Sequence, residues 1–432
     1  QVPYIIGGFV IVACFFYFSN RLYHWWGPLN NKRVELNLFM VAMVTRIAAA
    51  FILYFFYKQQ TGEPFEYYAV DSKFYHLTAL KIAEHFRAMD FNVNGYLGEL
   101  PFSDRGFNIF LGAIYALFGP SIIIARLINS LFSAITVIYI YRTCKFISEE
   151  NTARIAGISA LLLPNFLLYL GTGLKETIML FLVTMFIYQV TRFVLLQQKS
   201  LPVITAILFL LLSLFMFRTI LGAVMTCSFI IYGLLTNPFR NRFLNGISVI
   251  ALLIAFILVA WNSNLDKEVN EYLIRTGTIA DHMEFRSSRE GGNKLAVLAG
   301  APLFLSVILI APFPSFIYVP EQDILWMFIG ANLIRNIYAW FTILGVLYLL
   351  FHDFKKGSLI ILYTLGYLVV LANSGFALSE RFHIPAVPGM IILSSIGITR
   401  LGKRFRNYFP IYLLVIGILI VGWNYVKLMG RV

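Results

Sequence analysis

Apolar runs of about 17–25 residues alternate with short polar connections from one end of the chain to the other, and each is long enough to cross a ~30 Å hydrocarbon core as a helix. About twelve such spans are read, at roughly 3–19, 36–57, 122–141, 155–174, 177–195, 201–217, 219–236, 244–262, 326–350, 358–375, 384–399 and 409–426. Two further stretches, 107–119 and 296–312, are short or interrupted by Gly and Pro, and fit re-entrant or interfacial segments as well as spans. The first run, Val2 to Phe18, has no basic leader and no small-residue cleavage site, so it is read as a span and not a signal peptide. One segment breaks the pattern. "DSKFYHLTALKIAEHFRAMD" (71–90) follows the second span and is too polar to cross. Its spacing predicts an amphipathic helix lying at the membrane surface, with Asp71, Tyr75, Thr78 and Ile82 on one face and Leu77, Leu80 and Ala83 on another.

Composition agrees with the pattern. Of 432 residues, 59% are hydrophobic and 13% charged, against about 25% charged in soluble domains. The fold class is therefore an all-α polytopic membrane protein, read as one transmembrane domain over 1–432. A barrel is excluded because its ~10-residue alternating segments are missing. The net charge of +13 points to lysine and arginine in cytoplasmic loops, not to nucleic acid. The three cysteines offer no disulfide framework and no metal-binding spacing.

The positive charges also orient the chain. Arg21, Lys32 and Arg33 place the first loop inside, and "TRLGKRFRN" (399–407) does the same near the far end. The loop 58–106, with seven acids and five bases, then lies outside. Two arrangements satisfy these anchors. If neither short stretch spans, the loops 142–154, 196–200 and 237–243 are inside. If both span, those loops are outside. The first is preferred because it leaves two large extracytoplasmic loops, 58–121 and 262–325, opposite short basic inner ones.

Asp71 opens the surface helix. A carboxylate there suits the helix dipole and caps the first turn, which is a sufficient structural reason for it. The order of elements adds a second reason. Asp71 and Tyr75 are followed by "ALFGP" (116–120), "ARLINS" (125–130), "YRTCK" (141–145) and, late in the chain, "RFHIPAVPGMIIL" (381–393). This order resembles the GT-C class of polyprenyl-phosphate-dependent glycosyltransferases, particularly the protein O-mannosyltransferase and aminoarabinose transferase group. Two departures stand out: Asp71 is followed by Ser72 and not by a second acid, and "SDRGF" (103–107) replaces a proline-rich element. They leave the sugar and the acceptor open.

The resemblance implies a GT-C-like bundle in a bacterial inner membrane that transfers a sugar, with inversion, from a polyprenyl phosphate to a glycan, lipid or protein acceptor on the extracytoplasmic side. Such chemistry needs a base for the acceptor hydroxyl and cations for the phosphate leaving group. Asp71 is the expected base. Arg105, Arg126, Lys175, Arg218 and Arg381 are expected at the donor phosphate, and Tyr75, His76, Asp104, Glu176 and His383 at the substrates. Arg126, Lys175, Arg218 and Arg335 are the most informative cations, because they sit in or beside apolar runs where charge is costly. Their bland readings are snorkelling, or pairing with sequence neighbours such as Lys175–Glu176 and Glu380–Arg381. His76, His85 and His383 with Asp71 or Asp104 could ligate a divalent metal, but no metal motif such as HExxH is present and surface histidines are the simpler reading. No cofactor is indicated beyond the lipid-linked donor. A lipid-linked-oligosaccharide polymerase or O-antigen ligase is an alternative, resting on arginines in 262–325. A transporter or flippase is a weaker one, because no second copy of the first half is visible.

Overall fold

The computed structural model of the chain describes residues 2–66, 70–92, 97, 100–171, 173–236, 310–317, 325–372, 380–400 and 402–429. Their regular structure is helical throughout, with no strand among them. The expected span 244–262 and most of 262–325 lie outside the described residues, as does most of the stretch 296–312.

The helices follow the apolar runs. They are α1 (Val2–Trp26), α2 (Asn31–Thr61), α3 (Val70–Arg87), α4 (Phe102–Phe118), α5 (Ile122–Ile147), α6 (Glu150–Leu162), α7 (Pro164–Gly171) and α8 (Glu176–Leu195). Then come α9 (Leu201–Phe217), α10 (Thr219–Thr236), α11 (Leu325–His352), α12 (Phe354–Ala372), α13 (Glu380–His383), a 3-10 turn (Ile384–Ala386), α14 (Val387–Arg400) and α15 (Lys403–Met429). Among the described residues nine helical segments are long and apolar enough to cross a membrane. The chain is a multi-pass membrane protein. Local chemistry sets the ends. Asn30 caps α2 by accepting from Arg33 N at 3.0 Å, and Gly62, at φ 79°, closes it in the left-handed region. Within the spans, Thr184, Thr191 and Ser213 donate back to the carbonyls of Leu180, Ile187 and Phe209, which satisfies their hydroxyls without an outside partner.

One expected span is corrected. Residues 155–174 are not a single helix: α6 stops at Leu162, Leu163 is extended, and Pro164 opens α7. Proline supplies no N–H and disfavours the helical region for the residue before it, so the run breaks there although its hydropathy does not.

The described residues group into two units, both discontinuous in sequence. The first draws on Gln1–Leu29, Ile147–Asn165 and Lys267–Val432. In it α11 packs on α1, α12, α14 and α15, and α6 packs on α1 and α14. Arg154, at the start of α6, donates to the carbonyls of Trp26, Gly27 and Leu29 at 2.7, 2.8 and 2.8 Å and to Glu150 at 3.0 Å. Thr152 bonds Thr399 at 2.9 Å, and Arg400 pairs with Glu149. The start of α6 and the ends of α1 and α14 therefore share one end of this unit. The second unit draws on Asn30–Phe146 and Phe166–Asp266. In it α3 lies on α4, α4 on α9, and α9 on α8 and α10. Arg142, late in α5, pairs with Glu35, early in α2, at 2.6 Å. At the opposite ends of the same two helices Arg126 donates to Pro64 O at 2.6 Å.

Candidate active site

In the second unit, α3 is held by one face. Ser72, Tyr75, Ala79, Ile82 and Ala83 are buried, while Leu77 is 60% exposed. Tyr75 and Ile82 of the expected face are buried, and Ala83, expected on the other, is buried with them. Asp71, one turn before Tyr75 on the same helix, is exposed in the first turn. Tyr75 is held inward: its ring meets Phe107 edge-on at 5.1 Å and its hydroxyl donates to Asp104 Oδ1 at 3.2 Å.

Asp104 lies in the first turn of α4 and Glu176 in the first turn of α8, positions where the helix dipole favours a carboxylate. Lys175 Nζ donates to Asp104 Oδ1 at 2.5 Å and to Ser103 O at 3.2 Å. Arg218, between α9 and α10, approaches Glu176 at 3.5 Å. Five residues singled out from the sequence, Tyr75, Asp104, Lys175, Glu176 and Arg218, are thus brought together as two acids, two bases and a phenol. The pairing is not the neighbour pair expected from sequence: Lys175 reaches an aspartate 71 residues away. Three of the four charged side chains are nearly inaccessible, so each charge is compensated at close range, as burial demands.

A second group lies around the start of α5. Arg126 is 1% exposed and so does not snorkel. Its guanidinium stands 5.9 Å from the Tyr54 ring. His76 shares a 2.8 Å hydrogen bond with the Tyr115 hydroxyl and packs its ring on Phe65. Ser72 donates to Glu66. Arg105 is half-buried over Phe102 and donates to Leu100 O at 3.3 Å. Glu66, Ser72 and Tyr115 are polar members that the sequence did not single out; no spacing in the chain marks them.

Burial holds the His76 imidazole below its ordinary pKa of 6.5. The fold thus favours the neutral ring, and below pH 6.5 the unfolded chain binds more protons at this position. Its contribution to stability is fully present above about pH 6.5 and drains as pH falls through the lowered value. A pH series of thermal unfolding from 7.5 to 5 should show this slope, and His76→Asn should reduce it. An unchanged slope in the variant would remove His76 as its source.

In the first unit, Arg335 donates from Nη1 and Nη2 to His383 Nδ1 at 3.5 and 3.4 Å, which requires that nitrogen to be unprotonated and puts the proton on Nε2. Asn332 bonds Glu380 beside them. His383 is 1% exposed, so the reading of it as a surface histidine is corrected. Arg381, the next-to-last residue but one of α13, is half-buried. Arg335, Tyr338 and Thr342 line a cavity with Leu163, Val387 and Met390.

Residues 106–263 match the family model of dolichyl-phosphate-mannose-protein mannosyltransferases. No curated protein matches the chain. Arg126, Lys175, Glu176 and Arg218 fall inside the matched segment; Asp71, Tyr75, His76, Asp104 and Arg105 precede it, and Arg381 and His383 follow it. Together with the apolar helices, the match over this segment supports a membrane-embedded glycosyltransferase of the GT-C type.

Proposed function

We propose that the protein transfers a sugar from a polyprenyl-phosphate donor to an acceptor hydroxyl at the extracytoplasmic face, with inversion, and that Asp71 is the base. The observation that carries this reading is the exposed carboxylate of Asp71 in the first turn of a helix that Tyr75, one turn on, anchors to a buried charge cluster. A carboxylate so placed meets solvent and substrate while its backbone stays fixed. As the acceptor oxygen bonds to the anomeric carbon, its proton passes to Asp71 and the carbon–phosphate oxygen bond breaks, leaving polyprenyl phosphate. Arg105 is the cation of this unit that we assign to the departing phosphate, with Lys175 and Arg218 behind it. Those two already face carboxylates, so they add less free charge.

Sidedness is supported by the end-to-end contacts. Residues 149–154 bond to 26–29 and to Arg400, the regions that the lysine and arginine bias assigns to the cytoplasm. This favours the arrangement in which neither short stretch spans and 58–121 is outside.

Purified protein in detergent, given dolichyl phosphate mannose and a panel of hydroxyl-bearing lipid, peptide and glycan acceptors, should release dolichyl phosphate with an inverted product. Transfer only from a diphosphate-linked oligosaccharide would replace this reading with the polymerase or ligase one. In intact cells, cysteine at Lys73, whose side chain is half exposed, should react with an impermeant maleimide. Labelling that needs permeabilisation would reverse the orientation.

A further inference from the structure

Arg126 is buried to 1% exposure, yet only its Nη2 has a hydrogen-bond partner among the described residues, the carbonyl of Pro64. Nε and Nη1, carrying three of the five guanidinium N–H bonds, are buried without one. Glu66, two residues beyond Pro64, mirrors this. Its Oε1 accepts from Ser72, while Oε2 is buried without a partner. Glu66 is also the strongest charged neighbour acting on the Arg126 guanidinium. A buried polar atom left unsatisfied costs about 1–3 kcal/mol, and natural folds retain such atoms where a ligand or an ion completes them. Here unsatisfied donors and an unsatisfied acceptor occur together.

The charges decide what completes them. A phosphate would suit the guanidinium but would be repelled by Glu66. A neutral polyol suits both, because each hydroxyl can accept from Arg126 and donate to Glu66. Aromatic rings, the usual neighbours of a sugar, stand beside the pair: Tyr54 is by the guanidinium, and the Phe65, His76 and Tyr115 rings form a contiguous set. Ser72 and His76 share that helix with Asp71.

We propose that Arg126 and Glu66 form a sugar-recognition subsite for the donor's glycosyl group, so that Arg126 reads hydroxyls and not the phosphate. This rests on the donor reading given above. The test compares binding of dolichyl phosphate mannose and of bare dolichyl phosphate to the full-length protein in detergent. Wild type should prefer the mannosylated lipid. Glu66→Gln, which keeps size and removes charge, should lose at least about tenfold in affinity for the mannosylated lipid, the scale of one lost hydrogen bond to a charged group, and leave the bare lipid unchanged. Arg126→Met should do the same. If Glu66→Gln instead tightens both lipids, or if Arg126→Met weakens both alike, the pair serves the phosphate and the proposal is overturned. Unchanged binding of both lipids in both variants overturns it too, since the donor sugar then does not touch the pair. Wild type that binds both lipids equally sinks the subsite alone, whereas wild type that binds neither sinks the donor reading together with it.

Discussion

Asp71→Asn should fold like the wild type and lose sugar transfer by about 10²–10⁴-fold, the usual consequence of removing a general base. The substitution keeps size and most capping ability. At an exposed first-turn position the lost charge–dipole interaction costs only ~0.3–1 kcal/mol. The measurement is initial transfer rate on purified protein alongside thermal unfolding. Asp104→Asn provides the contrast. That carboxylate is gripped by Lys175 and Tyr75, so its loss leaves a buried ammonium without its partner and should lower stability as well as rate. Wild-type turnover in Asp71→Asn would reduce Asp71 to a helix cap and move the search for the base to Asp104.

Gly397→Ala should destabilise the first unit by ~3 kcal/mol or more, and Gly345→Ala by a similar amount. On Gly397 a methyl would land on the carbonyl oxygen of Phe341 and press its carbonyl carbon at 2.8 Å; on Gly345 it would meet the same groups of Leu393, the carbon at 2.7 Å. Both obstacles are backbone, so α11 and α14 would have to part. Overpacking typically costs 1–3 kcal/mol and sits at the top of that range where nothing can rotate away. Alanine's better helix propensity returns at most ~1 kcal/mol, so the clash decides the sign. Gly417→Ala, with nothing within 4 Å, is the control and should be neutral or slightly stabilising. Equal unfolding midpoints for Gly397→Ala and Gly417→Ala would mean that the two helices are not in backbone contact.

Much of the architecture is legible in the chain because a membrane imposes a simple rule: a crossing segment must be apolar and helical over ~20 residues. Hydropathy therefore locates α1, α2, α5 and α8 to α10 without any knowledge of contacts. The helix α3 is legible as well, from its amphipathic spacing. Three features were not legible. The break at Pro164 lies inside an uninterrupted apolar run and depends on one residue's backbone chemistry. Asp71 and Tyr75 stand one turn apart on the same helix, but their burial differs: Tyr75 is covered because Phe107 and Asp104 pack on it, whereas Asp71, in the first turn, is exposed. The partners of the charged residues were hidden most completely. Adjacent Lys175 and Glu176 look like a pair, yet they separate toward Asp104 and Arg218, and nothing local marks Glu66 as the neighbour of Arg126. Hydrophobicity is a property of each segment and survives in the sequence. Charge compensation is a property of pairs, and which pair forms is decided only when the packing of α3, α4, α8 and α9 fixes the distances between buried groups that must not be left alone.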